Sequence, residues 1–354
     1  MRTKTKNSRP GPTRKRRRGA GTAATIHDVA RLAGVSPITV SRAMNTPAQV
    51  SAETLARVRA AVKRAGYVPN LLAGSLSSSR SRLVAAVIPT IAGPVFLETV
   101  QALTEALDEH GYQLLLGQSG YKTSREDALL DAIIGRRPVG IVLTGTMHSA
   151  EGRRRLAACG IPIVETWDLG GKPIDMAVGF SHERIGEAVG EYLHARGKRR
   201  PAAITGDDDR AQRRTDGFVN AARRLGMGRK SAPHVPVKVV RAPTTHASGR
   251  EGLAELLQSH PDLDCVFCSS DLLALGVLTE AHARGIAVPG RLAVVGVGNV
   301  PFASGIIPSL TTVHVDGQRI GRTAANLLID RAEGRDIAQA RIDVGFSIVQ
   351  RESA

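Results

Sequence analysis

Between Leu83 and Val297 short apolar runs alternate with helical stretches, and no other feature of the chain restricts its fold so narrowly. The runs Leu83 to Ile88, Tyr112 to Leu116, Val139 to Leu143 and Ile161 to Thr166 are separated by segments such as Val95 to His110 and Arg125 to Gly135. A short run that is apolar throughout suits a strand buried on both faces, and a helix between two such strands implies a right-handed crossover in a parallel sheet. A second set follows at Ala202 to Thr205, Val237 to Val240, Cys265 to Cys268 and Leu292 to Val297. Two sets are more than one compact sheet usually holds, so two α/β lobes are expected.

Ahead of this core stands Thr25 to Asn45, TIHDVARLAGVSPITVSRAMN. Ile26, Val29, Ala30 and Ala33 occupy positions that line one face of a helix. Gly34 falls where a helix ends in a left-handed residue, Ser36 can cap the next helix, and Pro37 suits its first position. Val35 and Val40 can form a hydrophobic staple. Val40, Ala43 and Met44 give the second helix a buried stripe, which turns Pro37, Ile38, Thr39, Ser41 and Arg42 outward.

Periodicity alone fits an ordinary helical hairpin as well as a DNA-reading helix-turn-helix. Charge separates the two. Residues 1–24 carry nine Lys/Arg and no acid, residues 25–80 carry seven against Asp28 and Glu53, and the other 274 residues hold 32 basic against 30 acidic groups. Fourteen of the sixteen net positive charges thus lie in the first 80 residues, which favours phosphate contact and a salt-dependent affinity. A third helix, capped by Ser51, stapled by Val50 and Leu55 and ended by Gly66, completes a small domain around Val29, Val40, Leu55 and Val58. Met1 to Ala24, rich in Arg, Lys, Gly and Pro, cannot bury a core and is expected to be disordered.

The stretches Asp28 to Ala30, Ala33 to Ser36 and Thr39 to Arg42 resemble the pattern of the lac repressor (LacI/GalR) family, and the similarity runs on through the chain. The resemblance implies an all-α helix-turn-helix head (25–69), a hinge helix and linker (70–82), and a two-lobed, periplasmic-binding-protein-like α/β core of parallel sheets (83–354). Lobe 1 would take about residues 83–180 and 314–341; lobe 2 would take about 182–312 and 342–354, with Ile342 to Ile348 as its last strand. Ligands in such sheets sit outside the carboxyl ends of strands, so two such edges should face one another across a cleft. Tyr67 to Leu76 looks like the family's hinge helix; at about six or seven residues it is marginal alone and should form fully when two copies pack on DNA. DNA contact is implied for Thr25, Ser36, Pro37, Ile38, Thr39, Ser41, Arg42, Asn45, Tyr67, Asn70, Ala73 and Leu76, with Leu76 wedged into the minor groove. Gly74 departs from the larger, often basic residue of many relatives. The protein so implied is a homodimeric, effector-controlled repressor on a pseudo-palindromic double-stranded DNA operator, expected in the cytoplasm.

For the cleft, Ser269-Ser270-Asp271 follows the run ending at Cys268, and Asp271 is either a plain helix cap or, by resemblance, the aspartate that hydrogen-bonds ligand hydroxyls. In DDDRAQRRTDGF, Arg214 matches an arginine that reaches the effector in relatives, Arg210 is a second candidate one turn earlier, and Arg213 is read as solvated. A guanidinium in a cleft suits a carboxylate, so the implied ligand is a hydroxylated acid. Alignment to the family adds Phe96, Tyr121, Trp167, Ser181 and Thr244. Phe96 and Trp167 could stack on a sugar or simply be core, and Ser181-His182 stands where many relatives have Asp-Asn. His110 to Gln113, Gly120 to Lys122, Ala177 to Phe180 and Leu263 to Cys268 are similar to gluconate-utilisation repressors, which implies gluconate or a related sugar acid as effector. A keto-gluconate or a neutral sugar is the alternative.

Other chemistries find little support in the chain. Asp207 to Asp209 are consecutive and point in different directions, so no metal site is expected. Cys265 and Cys268 would face opposite sides of a strand, as core thiols, and with Cys159 they make an odd count that argues against a disulfide framework. Gly296-Val-Gly298-Asn299 lacks the third glycine of a dinucleotide site, and neither a nucleophile elbow nor a Walker loop occurs, so no enzyme and no cofactor are expected. A non-regulatory sugar-binding protein would share the core but would carry a signal peptide where this chain has a basic head. No apolar run approaches the roughly 20 residues of a membrane span. Val349 to Ala354 contains no leucine heptads, so a coiled-coil tetramer is not expected.

Overall fold

A computed structural model describes residues 24–68, 82–91, 94–121, 123–145, 149–228 and 234–354. The chain divides into one compact unit up to Ser79 and another from Arg80. The first holds α1 (Ile26–Ala33), α2 (Pro37–Asn45), a single 3₁₀ turn (Pro47–Gln49) and α3 (Ala52–Ala65). Their ends are set by the expected local chemistry. Ser36 Oγ accepts from the Thr39 amide at 3.1 Å and Ser51 Oγ from the Thr54 amide at 3.3 Å, each satisfying a helix N–H that has no partner within its helix. Gly34 closes α1 at φ 65°, a left-handed conformation that a side chain would disfavour, and so permits the sharp turn into α2. Val29, Val40 and Val58 are almost wholly buried between Ala30, Ala33, Ala43 and Ala61, while Met44, Leu55 and Val62 pack around them only partly covered. The basic tail before residue 24 and residues 69–81, among them Asn70, Ala73, Gly74 and Leu76, lie outside the described residues.

The second unit contains, among its described residues, two six-stranded sheets. Lobe 1 orders its strands β2 (Gln113–Gln118), β1 (Leu83–Ile88), β3 (Gly140–Thr144), β4 (Ile163–Thr166), β5 (Met176–Gly179) and β11 (Arg341–Asp343). Lobe 2 repeats the pattern with β7 (Val237–Val240), β6 (Pro201–Gly206), β8 (Cys265–Cys268), β9 (Ala293–Val297), β10 (Thr311–His314) and β12 (Ser347–Val349). Both have the doubly wound order in which the second strand lies outside the first, which leaves a switch point at the carboxyl ends. Central strands such as β6 and β8 are buried at every position, whereas the edge strands β2 and β7 are half-buried or exposed throughout. In β8, Cys265 and Phe267 join the core on one face while Val266 and Cys268 join the core on the other, as the two-residue repeat of a strand requires.

Helices α4 (Leu97–Glu109), α5 (Thr123–Ile134), α6 (Ala150–Ala158) and α11 (Gly317–Ala332) belong to lobe 1. Lobe 2 carries α7 (His182–Ala195), α8 (Asp209–Arg224), α9 (His246–Ser259) and α10 (Asp271–Ala283). The chain therefore crosses between lobes after β5, after β10 and after β11. This last crossing corrects the expected single strand Ile342 to Ile348. Gly345, at φ 68°, takes up a left-handed turn, and its amide donates to Asp343 Oδ1 at 2.8 Å. The segment consequently splits: β11 pairs parallel to β5 in lobe 1, and β12 pairs antiparallel to β10 in lobe 2. No helix among the described residues is long and apolar enough to cross a membrane.

Candidate ligand cavity and DNA-reading surface

A cavity of about 330 Å³ opens between the facing carboxyl edges of the two sheets, a size that suits a small metabolite. Lobe 1 contributes mainly aromatic rings. Phe96 and Trp167 meet edge to face at 5.1 Å, Trp167 and Phe180 at 5.9 Å, and Phe180 and His182 at 4.8 Å. Trp167 sits at φ 66° and its indole N–H donates to Thr99 Oγ1 at 3.1 Å, which fixes the ring. Phe96 and Trp167 are each 7% exposed and belong to the core cluster while also lining the cavity, so the two expected roles coincide in the same side chains.

Lobe 2 supplies the polar wall. Residues at the N-terminal ends of four helices line it: His182 of α7, the Asp208 cap of α8, Thr245 and His246 at the start of α9, and Ser270 and Asp271 at the start of α10. Each helix start carries a partial positive charge of roughly half a unit, so their convergence favours an anion. Arg214 adds a full cation. Its Nη2 donates to the Ser269 carbonyl at 3.0 Å and its Nη1 faces His182 Nδ1 at 2.9 Å, while its buried Nε has no hydrogen-bond partner among the described residues. Burial pulls the guanidinium down to about 10, with Asp208 opposing and Arg210 and Arg213 adding to the shift, so it stays charged at neutral pH. Burial, then Arg214, Arg210 and Arg213, hold the His182 ring well below the usual histidine range. Nδ1 of His182 is therefore free to accept from Arg214.

Asp271 is not the cap of α10. Ser270 fills that role, its Oγ accepting from the Leu273 amide at 3.4 Å. Asp271, 1% exposed, instead accepts from Thr312 Oγ1 at 2.5 Å and from the Val300 amide at 3.0 Å, which ties α10 to the segments that follow β9 and form β10. Burial raises its carboxyl to about 6 against the pull of Thr312 and Val300. A folded pKa above the unfolded 3.8 contributes stability that is full in acid and is lost as pH rises through about 6. The stability of the second unit should therefore fall by on the order of 3 kcal/mol between those limits. Thermal melts of the wild type and Asp271→Asn across that range should diverge, with the variant the flatter; parallel curves would refute the assignment.

Of the expected cleft residues, Phe96, Tyr121, Trp167, Arg210, Arg214, Thr244 and Asp271 all line the cavity. Ser181 does not. Its hydroxyl caps α7, accepting from the Arg184 amide at 3.2 Å and donating to Glu183, and the next residue, His182, reaches the cavity in its place. Arg210 crosses to lobe 1, its guanidinium 5.7 Å from the centre of the Phe96 ring. Thr244 shares a 2.9 Å hydroxyl contact with Ser270. Burial raises the Tyr121 phenol, with Arg210 opposing. Arg213 is not solvated as expected: it pairs with Asp168, Glu183 and Asp209. His182 and Asp208 were missed as cavity residues. Asp208 lay within the run that opens the cleft group, but there only the arginines were singled out as ligand contacts and the aspartates were weighed as a metal site; no metal-holding group of three or more ligands occurs among the described residues.

In the first unit, α2 presents Ile38, 65% exposed, beside the exposed Arg42 and Asn45. Thr39 Oγ1 and Ser36 Oγ lie 2.9 Å apart, and Asn45 donates to Ser41 Oγ at 3.3 Å, so the polar groups of this face are braced along the helix. Thr25 donates to Asp28 Oδ2 from both its amide, at 3.0 Å, and its hydroxyl, at 2.7 Å, which anchors the start of α1. Tyr67 packs against the small core.

Residues 25–70 match the family described as bacterial regulatory proteins, lacI family, and residues 191–354 match a periplasmic binding protein-like domain. The HTH-type transcriptional regulator GntR of Pseudomonas aeruginosa is 38% identical over 330 residues, 93% of this chain and 95% of the relative. The HTH-type transcriptional regulator GntR of Escherichia coli K12 is 30% identical over 325 residues, 91% and 96% of the two chains. A crystal structure of a LacI family transcriptional regulator from Silicibacter pomeroyi agrees with a TM-score of 0.86 at 33% identity, covering 93% of this chain and 99% of that one. These similarities span head and core together and involve regulators throughout. The chain belongs to the lacI family of bacterial regulatory proteins and is a DNA-binding transcriptional regulator, not an enzyme.

Proposed function

We propose that this regulator represses sugar-acid catabolic genes and leaves its operator when a hydroxylated acid of the gluconate type enters the cavity. The observation that carries the reading is Arg214: a buried, charged guanidinium on the cavity wall with no carboxylate within salt-bridge distance among the described residues and with Nε unsatisfied. Burying such a charge is costly, and a ligand carboxylate that accepts two of its N–H groups offsets that cost. Thr244, Ser270 and Asp271 offer hydroxyl and carboxylate partners for a polyol, and Trp167 and Phe96 present apolar faces to its carbon chain. The resemblance to gluconate-utilisation repressors points to the same class.

Such an effector bridges the lobes, since its acid and hydroxyl partners belong to lobe 2 and its aromatic wall to lobe 1. Its binding sets the angle between them. Passed to the hinge segments of a homodimer, a coupling of about 1–3 kcal/mol changes operator affinity by several-fold to hundredfold. Fluorescence anisotropy of a labelled operator duplex, with and without gluconate, tests release directly; a thermal-shift screen over aldonates, keto-aldonates and neutral sugars identifies the acid. Release by neutral sugars alone would overturn the acid assignment.

On the DNA side, Ile38 is too exposed to support the fold, so Ile38→Ala should leave the stability of the head within about 0.5 kcal/mol of native. Lost apolar contact with thymine methyls in the major groove should still weaken operator binding by about 1–2 kcal/mol, at roughly 0.8 kcal/mol per buried methylene. Unchanged anisotropy titrations at fixed salt would remove Ile38 from the reading surface.

A further inference from the structure

Beside the cavity, one ion pair ties the two lobes together. Arg213, next to Arg214 on α8, directs Nη2 to Asp168, which follows β4 in lobe 1. Asp168 is fully buried, and its Oδ1 accepts from the Gly170 amide at 2.7 Å, so the carboxylate is fixed within lobe 1. On the lobe 2 side, Arg213 is held by Asp209 at 3.1 Å, one turn earlier on α8, and by Glu183 at 3.3 Å, at the start of α7. Two carboxylates thus orient the guanidinium before it spans the gap. Lobe 1 leaves room for it at Gly170, where a Cβ would stand 1.8 Å from Arg213 Nη1. None of Asp168, Glu183, Asp209 and Arg213 lines the cavity. A second interlobe pair, Arg184 with Asp343 at 3.7 Å, is exposed on both sides and contributes little by comparison.

We propose that the Asp168–Arg213 pair is a latch that sets the closure of the cleft and positions Arg214 against lobe 1. A buried pair acts as a switch rather than a spring: made, it satisfies both charges; broken, it leaves Asp168 to be hydrated, so the lobes must part far enough to admit water. Closure by the latch and closure by effector favour the same arrangement, and each therefore strengthens the other. Arg213 is a positioning residue, since it adjoins the ligand-facing Arg214 on α8 and does not itself line the cavity. The proposal rests on the cavity being the effector site.

The test uses the full-length protein with Asp168→Asn, Arg213→Gln and the double variant, which leaves no buried unpaired charge and remains informative where a single variant folds poorly. Hydrogen exchange without ligand should rise on the order of tenfold at cleft amides of both lobes, including Gly145, bonded to the Thr166 carbonyl, and Val300, bonded to Asp271. Gluconate affinity should fall by a similar factor, and the double variant should lose no more than the worse single one, because all three remove the same interaction. Exchange raised only around residues 165–172 and 209–215, or additive losses in the double variant, would overturn the latch. If gluconate and other aldonates fail to bind the wild type, the effector class falls while the exchange result still decides the latch.

Discussion

Arg214→Ala should hold its operator with near-native affinity and fail to release it when effector is added. The variant removes the charge that meets the ligand acid, and truncating one partner of a buried charged contact costs about 2–5 kcal/mol, or a loss of effector affinity of roughly 30-fold to several thousand-fold. The fold should tolerate the change comparatively well. Arg214 already bears the desolvation that pulls it down to about 10, and its own contacts, the Ser269 carbonyl and His182, are one hydrogen bond each. Loss of induction is therefore separable from loss of structure. Arg214→Lys keeps the charge but not the planar fork and should fall between the two. Operator titrations by anisotropy with increasing gluconate read both variants; normal induction in Arg214→Ala would remove the arginine from the site.

How much of this was legible beforehand depended on how local the determining physics is. The caps Ser36 and Ser51 and the left-handed Gly34 were readable because each acts within three or four residues of itself. The strands Val237–Val240 and Cys265–Cys268 coincide with their apolar runs, and the opposite facing of Cys265 and Cys268 follows from the strand repeat alone. The split at Gly345 was not readable, because an apolar segment does not say which of two sheets will offer it an edge. The cavity residues came mostly from family resemblance, and where the chain departs from that pattern, at Ser181-His182, the expectation landed one residue early. Arg213 was misread for a related reason. Its neighbours in sequence are charged and polar, but its decisive partner, Asp168, lies 45 residues away in the other lobe. Burial of a charge is a tertiary fact, invisible to periodicity.

The largest structural loss is expected where α7 and α8 touch. A Cβ on Gly186 would stand 1.8 Å from the Arg214 carbonyl oxygen, and one on Gly217 would stand 2.1 Å from the Glu183 carbonyl oxygen. These are backbone atoms held in helical hydrogen bonds, so they cannot swing aside as a side-chain tip can, and the helices themselves must part. Overpacking of this kind costs about 3 kcal/mol. At roughly 2–4 °C per kcal/mol for a unit of this size, Gly186→Ala should melt about 6–12 °C below the wild type. The same displacement reaches function, because the 2.9 Å contact between His182 on α7 and Arg214 on α8 spans the interface that opens. Effector response should then be impaired even at temperatures where the protein is folded. Gly290→Ala is the matched control: its Cβ would meet nothing closer than Ala287 Cβ at 3.9 Å, so its stability should stay within about 0.5 kcal/mol of native and its melting point within about 2 °C. If Gly186→Ala melted with that control and was induced normally, close packing of α7 on α8 could not be what positions Arg214, and the support for the cavity's cation would have to come from its hydrogen bond to Ser269 and from the Asp168–Arg213 pair beside it.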